Sequence, residues 1–268
     1  YQGRFTDSDN PYRDFLAKIR KLLKPNGKLL IAIENQYGLK YWCGAREDHT
    51  GVPFDGMNQY RFTNQGIRTF SKEGLKNLIH ESGFEHTYFY YPMPDYKLPT
   101  VVYSENYLPK DENMQNVRYY YAKNAHTLVA NEGDIYKDLL ENHVYEFFSN
   151  SFLVECAETE NLGNILFADI CDERQEEYQL GTKIYRDNCV RKFSLSEKGV
   201  VHIRQTVENE AVLADRGLLT LGSRMAGEEL EVPYAAETLF ETLFVEACRA
   251  GNEERAIYLL ERLYADVL

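Results

Sequence analysis

The sequence predicts an α/β unit followed by an α+β unit, on three observations. Helix-like and strand-like stretches alternate through the first 110 residues, the pattern of an α/β sheet whose crossovers supply its covering helices. After that point four strand-like stretches come in succession and helices follow, which is an α+β signature. The charge also changes along the chain. Residues 1–110 carry 15 Lys/Arg against 12 Asp/Glu, a balance of +3, whereas residues 111–268 carry 15 against 30, a balance of −15. A length of 268 residues accommodates one large or two modest domains at roughly 100–200 residues each. The expected division is therefore a domain at 1–108, a linker region at 109–133 and a second domain at 134–268.

Each element has a local reason. Asn10 can cap a helix with Pro11 in its first turn, and Phe15, Leu16, Ile19, Leu22 and Leu23 then recur at helical spacing. Pro25-Asn26-Gly27 is turn chemistry that ends it. Lys28 to Ile33 is a near-continuous apolar strand, which predicts cover on both faces. Ser71 can cap the next helix, with Leu75, Leu78 and Ile79 on one face and Gly83 beyond its end. Phe84 to Tyr91 and Pro99 to Ser104 are aromatic and β-branched strands.

These residues carry a resemblance. The run LKPNGKLLIAIEN (Leu23 to Asn35), a long loop, and FSKEGLKNLIHESGF (Phe70 to Phe84) resemble the C-terminal half of a class I S-adenosylmethionine-dependent methyltransferase. The longer patterns Gly38 to Gly56 and Tyr91 to Ser104 resemble methyltransferase-like regions of large bacterial proteins linked to cell-surface polysaccharide synthesis, often beside glycosyltransferase domains. The resemblance covers about residues 1–108 and implies a partial Rossmann-like sheet, S-adenosylmethionine as cofactor, and a glycan or sugar-nucleotide acceptor. It also implies that Tyr1 falls just after the family's fourth strand. The glycine-rich turn and second-strand acid that hold the cofactor then belong to a missing upstream domain, so this chain alone is expected not to bind S-adenosylmethionine.

The second half opens after the polar stretch Pro109 to Asn113, and Tyr119-Tyr120-Tyr121 reads as a strand at the junction. A helix is predicted over Asp134 to Phe148, and strands at Ser151 to Cys156, Ile165 to Ile170, Gln179 to Tyr185 and Cys189 to Phe193. Ser196 heads a long helix to about Arg216, with two more at Glu237 to Arg249 and Glu253 to Leu268. The strand pairs, Cys189 to Phe193 and the following helix resemble the N-lobe of a kinase-like fold, in which a strand lysine pairs with a helix glutamate and holds nucleotide phosphates. That resemblance implies Lys192 with Glu208 or Glu210 as nucleotide-binding residues.

The candidate chemistry concentrates in the first half. Glu34 and Asn35 end the first strong strand, where ligands of open α/β sheets sit, or Glu34 caps the turn that follows. Glu47, Asp48, His49 and Asp55 crowd a glycine-containing loop. Acids beside a histidine orient it and raise its basicity, as a general base acting on a hydroxyl requires; the plain alternative is a solvated polar loop. Asp95 and Tyr96 lie in a proline-fixed connection where Tyr90, Tyr91 and Tyr96 form either a stacking platform for a sugar ring or ordinary packing.

No H-E-x-x-H, Walker or C-x-x-C pattern occurs, and five scattered cysteines point to reduced thiols in a cytoplasmic protein. No apolar run reaches the ~18 residues of a membrane span, and an acidic second half argues against nucleic acid. The expected function is part of a methyltransferase-like transferase acting on a cell-surface glycan or its precursor, with His49 or a neighbouring acid taking a hydroxyl proton. The alternatives are a non-catalytic coupling module of a multi-domain protein and a kinase-like nucleotide-binding domain. An unpaired sheet edge at Lys28 to Ile33 would favour a homodimer.

Overall fold

A computed structural model describes residues 8–61, 63, 66–110, 127–216, 223–232 and 240–267. Helix α1 (Pro11–Arg20) begins where expected, with Asn10 accepting from the Arg13 N–H at 3.2 Å and Pro11 in the first turn. Strand β1 (Leu29–Glu34) is followed by the short helix α2 (Leu39–Trp42) and a long loop. Then come α3 (Lys72–Glu81), capped by Ser71, and strands β2 (His86–Met93) and β3 (Val101–Ser104). Residues 111–126, which include the tyrosine triplet and most of the expected linker, lie outside the described residues.

The expected helix over Asp134 to Phe148 is two helices, α4 (Glu132–Glu141) and α5 (Tyr145–Phe148). His143 separates them in the left-handed region at φ 57°, and the His143 and Val144 amides fold back on the Leu140 and Leu139 carbonyls. Strands β4 (Ser151–Ala157), β5 (Ile165–Cys171), β6 (Leu180–Tyr185) and β7 (Val190–Ser194) follow. The long helix α6 (Glu197–Asp215) has Ser196 as its cap. A hairpin that the sequence reading missed, β8 (Arg224–Ala226) and β9 (Glu229–Val232), precedes helices α7 (Phe240–Arg249) and α8 (Glu253–Val267).

The sheet departs from expectation. Its order is β1-β4-β2-β3-β5-β6-β7-β9-β8, and every neighbouring pair is antiparallel. A partial Rossmann-like parallel sheet is therefore not what these residues form. β1 and β2 run parallel to each other, but only across β4: Leu29 to Glu34 pair with Cys156 to Ser151, and His86 to Tyr90 with Ala157 to Leu153. The division at 109–133 also differs from the sequence reading. β4 of the second half lies between two strands of the first, and β3 pairs with β5, so both halves share one sheet. The chain separates instead into residues 1–232 and a C-terminal unit of residues 233–268.

The principal core lies on one face of the β1–β4–β2 region. Phe89, Tyr91 and Met93 alternate inward from β2, and Phe152, Val154 and Cys156 from β4, against Leu16, Leu75, Ile79, Tyr136 and Tyr145. The opposite face holds a smaller cluster of Tyr88, Tyr90, Ala157 and Leu162. Tyr90 and Tyr91 are thus buried in packing on opposite faces, the plainer of the two readings of these tyrosines. β1 is an edge strand, and Leu30 on it remains 59% exposed, so cover on both faces is also corrected. Its apolar residues pack alternately; Leu29, Ile31 and Ile33 meet the core.

In the C-terminal unit α7 and α8 join through Gly251 at φ 63°, and Ala247 and Leu259 are buried. All five cysteines are free. No helix among the described residues is long and apolar enough to cross a membrane.

Candidate functional site

At the carboxyl end of β1 the chain enters a loop that folds back on itself. Glu47 N–H donates to the Val52 carbonyl and Gly51 N–H to the Glu47 carbonyl, closing a tight turn over residues 47–51. Gly51 sits at φ 69°, a conformation glycine adopts without a Cβ penalty. This turn sets His49 beside Glu47.

Glu47 is buried, and its carboxylate is saturated. Oε2 accepts from the backbone N–H groups of His49 at 2.8 Å and Thr50 at 2.7 Å. Oε1 accepts from the Tyr60 hydroxyl at 3.1 Å and lies 3.0 Å from His49 Nδ1. Burial pushes the Glu47 pKa up, but the hydrogen bonds from His49 and Thr50 outweigh it and the net shift is down. A carboxylate held ionised can only accept, so Nδ1 carries a proton, and in the neutral ring Nε2 presents the lone pair. The His49 side chain is 37% exposed. Its pKa is raised, first by the hydrogen bond to Glu47, against the opposing effect of burial, with Glu34 and Asp48 adding to the rise.

Beside this pair lies a network that ties the loop to the connection between β2 and β3. Lys40, on α2, has a side chain only 3% exposed, with Nζ 2.6 Å from Asp48 Oδ2 and 2.8 Å from Asp95 Oδ2. Burial disfavours its ammonium, yet Asp95 and Asp48 more than compensate and the pKa is raised. Asp48 also accepts from Tyr41 at 3.3 Å; burial raises its pKa, but Lys40 and Lys97 bring the net shift down. Glu34 accepts from the Tyr96 hydroxyl at 3.2 Å and pairs with Lys97. Lys97 lies 3.6 Å from Asp48 as well and is 52% exposed, so it rims the cluster on its open side. Burial, with Glu34 next, lifts the Tyr96 hydroxyl to about 12. The Tyr96 backbone N–H donates to Ser151 Oγ at 2.9 Å, anchoring this connection on β4.

The structure therefore joins Glu34, Glu47, Asp48, His49, Asp95 and Tyr96 in one region. Two expected members do not take their assigned parts. Asn35 is fully buried; its amide donates to the Phe147 and Ser149 carbonyls, both at 2.7 Å, and accepts from Tyr37 N–H, so it braces α5 and has nothing left for a substrate. Asp55 is also fully buried and accepts from Thr63 at 2.7 Å; among the described residues it makes no bond to His49 and its other oxygen finds no partner.

Sequence reasoning missed Lys40, Lys97, Tyr60 and Thr69. Lys40 and Lys97 stand within the two patterns flanking the site, but each reads locally as a solvated cation. The lysine that the kinase-like resemblance singles out is placed differently. Lys192 pairs across the sheet with Thr182 and Leu230 and shares a face with Ser194, against which α6 packs at Gly199. Among the described residues no ion pair joins it to Glu208 or Glu210. Glu210 accepts instead from Ser223 N–H, and Lys183 is the strand lysine with a close partner, Glu229 at 2.7 Å.

A separate cavity of about 330 Å³ lies beside α1 and α3, lined by Tyr12, Arg68, Phe70, Asn77 and Glu81 among others; it contains none of the site residues. No group of His, Cys, Asp and Glu among the described residues is arranged to hold a metal ion. At the carboxyl end of β1, Glu34 and Asn35 are buried and bonded to protein partners. Comparison with known proteins finds no matching family model, no matching curated protein and no matching solved structure.

Proposed function

We propose that these residues form the acceptor side of a transferase site, in which His49 takes the proton of a sugar hydroxyl. The observation that carries this reading is the His49–Glu47 pair, with Nδ1 committed to a saturated carboxylate and Nε2 left for an incoming hydroxyl. In that step Nε2 accepts the proton as the hydroxyl oxygen becomes nucleophilic, and Glu47 stabilises the imidazolium that results. Asp48, Asp95, Tyr96 and Lys97 supply acceptors and donors suited to a polyhydroxylated ligand. The resemblance of residues 1–108 to S-adenosylmethionine-dependent methyltransferases of cell-surface polysaccharide synthesis supports a methyl group as the group transferred and a glycan or its precursor as acceptor. A crossover from β1 through α3 to a parallel β2 is compatible with that origin.

The test is saturation-transfer NMR of the chain with a panel of hexoses, glycosyl phosphates and sugar nucleotides, beside calorimetric titration with S-adenosylmethionine. The expected result is saccharide contact that weakens in Lys97→Ala and Asp48→Asn, with no saturable cofactor binding. A chain that touches no saccharide contradicts the acceptor reading. Saturable one-to-one cofactor binding would show that these residues hold the cofactor as well as the acceptor.

A further inference from the structure

We propose that Tyr60, backed by Thr69, is a positioning residue: its hydroxyl pins the Glu47 carboxylate so that His49 keeps its proton on Nδ1 and turns a bare Nε2 outward. The proposal rests on the reading of His49 as a base and adds the device that fixes which nitrogen acts.

The proton directions follow from what each atom can do. Glu47 Oε1 only accepts, so the single hydroxyl proton of Tyr60 goes to it, across 3.1 Å. The Tyr60 oxygen is then an acceptor toward its remaining neighbours, Thr69 N–H at 3.2 Å and Thr69 Oγ1 at 2.7 Å. That assigns the Thr69 hydroxyl as a donor. A chain from Thr69 through Tyr60 and Glu47 to His49 Nδ1 results, with one consistent direction. Both Tyr60 and Thr69 are buried, so water does not compete for these bonds.

The backbone is bent to deliver this hydroxyl. Gln59 and Tyr60 lie consecutively in the left-handed region, at φ 59° and 55°, which is uncommon for any residue with a Cβ and an outlier for an aromatic one. The Tyr60 N–H donates to the Asp55 carbonyl at 2.8 Å, closing the turn. Gly56 leaves room for the hydroxyl pair: a Cβ there would stand 3.3 Å from Tyr60 Oη and 3.5 Å from Thr69 Oγ1. Strain kept in a loop that ends on a carboxylate–imidazole pair is the kind found at functional sites. The charged groups acting on the His49 ring are Glu47, Glu34 and Asp48, and Lys97 pairs with the latter two. Among the described residues only Glu47 bonds to the ring, so its carboxylate selects the tautomer.

The experiment uses long-range ¹H–¹⁵N correlation spectra of the ¹⁵N-labelled chain, recorded above the His49 titration midpoint. The wild-type ring is expected as the Nδ1–H tautomer. Tyr60→Phe is expected to populate both tautomers, whereas Thr69→Ser, which keeps the hydroxyl and the amide, retains the wild-type pattern. A ring that stays wholly Nδ1-protonated in folded Tyr60→Phe overturns the proposal, wherever the midpoint moves. Should Tyr60→Phe not fold, Thr69→Val removes only the backing hydroxyl; a second tautomer there supports the proposal and an unchanged spectrum overturns it. The spectra need no substrate. Failure of the base reading would show separately, as undiminished transfer by a His49→Gln variant.

Discussion

At the scale of single residues, the positions of a few protons set what the site can do. The His49 pKa lies above its ordinary value because ionised Glu47 favours the imidazolium. The stability this interaction contributes is present below the unfolded-state value of roughly 6.5 and is lost as pH rises through the raised folded value. Glu47→Gln removes the charge, so the His49 midpoint should fall in an NMR titration, and the acid-limb rise of any His49-dependent transfer should move to lower pH. A midpoint that does not fall would show that Glu47 is not the controlling partner. Asp48 behaves in the opposite sense: its lowered pKa stabilises the fold above the unfolded carboxylate value, and that contribution fades as pH drops through the folded one. Lys40 is the buried cation of the network. Lys40→Met takes the close counter-charge from Asp95 and leaves Asp48 only the more distant Lys97, and the loss should approach the ~3–5 kcal/mol of breaking a buried pair, reduced because both carboxylates keep some solvent contact. Urea unfolding measures it, and a change under about 0.5 kcal/mol would mean the network is solvated and weak.

At the scale of elements, what was legible in the sequence was local. Asn10, Ser71 and Ser196 announce their helices because a cap is settled within three residues of itself. The strands were found from composition, but their partners were not, because a ladder joins residues far apart in sequence: Leu29 meets Cys156 and Val101 meets Asp169. Lys28 to Ile33 reads as a doubly covered strand since both its faces are apolar, yet its position is at an edge. The same distance hid Lys40 and Lys97, whose partners Asp95 and Glu34 lie 55 and 63 residues away. Glu47 and His49 were legible because they are two residues apart. Phe152 and Leu30 give the contrast between the centre and the edge of the sheet. Phe152→Ala on β4 should cost about 3–5 kcal/mol, since its ring is fully buried against Phe89 and Tyr91. Leu30→Lys should stay within about 0.5 kcal/mol by thermal or urea unfolding. A homodimer formed through the β1 edge would weaken in the same variant, and sedimentation would register the change.

At the scale of the whole molecule, residues 8–232 are held by one sheet that draws on both halves of the sequence. The site depends on this arrangement. Asn150 supplies its side-chain carbonyl to Lys40 N–H at 2.8 Å, and Ser151 holds the Tyr96 backbone, so the start of β4 braces residues contributed by the first half. The charge asymmetry between the halves is real but does not divide the fold; surface charge says little about which strands pair. Insertion of a specific protease site within residues 111–126, followed by complete cleavage, tests this most directly. The account predicts that the two fragments co-elute in native gel filtration, separate only in denaturant, and leave the His49 ring resonances where they were. Fragments that part under native conditions, each with its own cooperative unfolding transition, would contradict it.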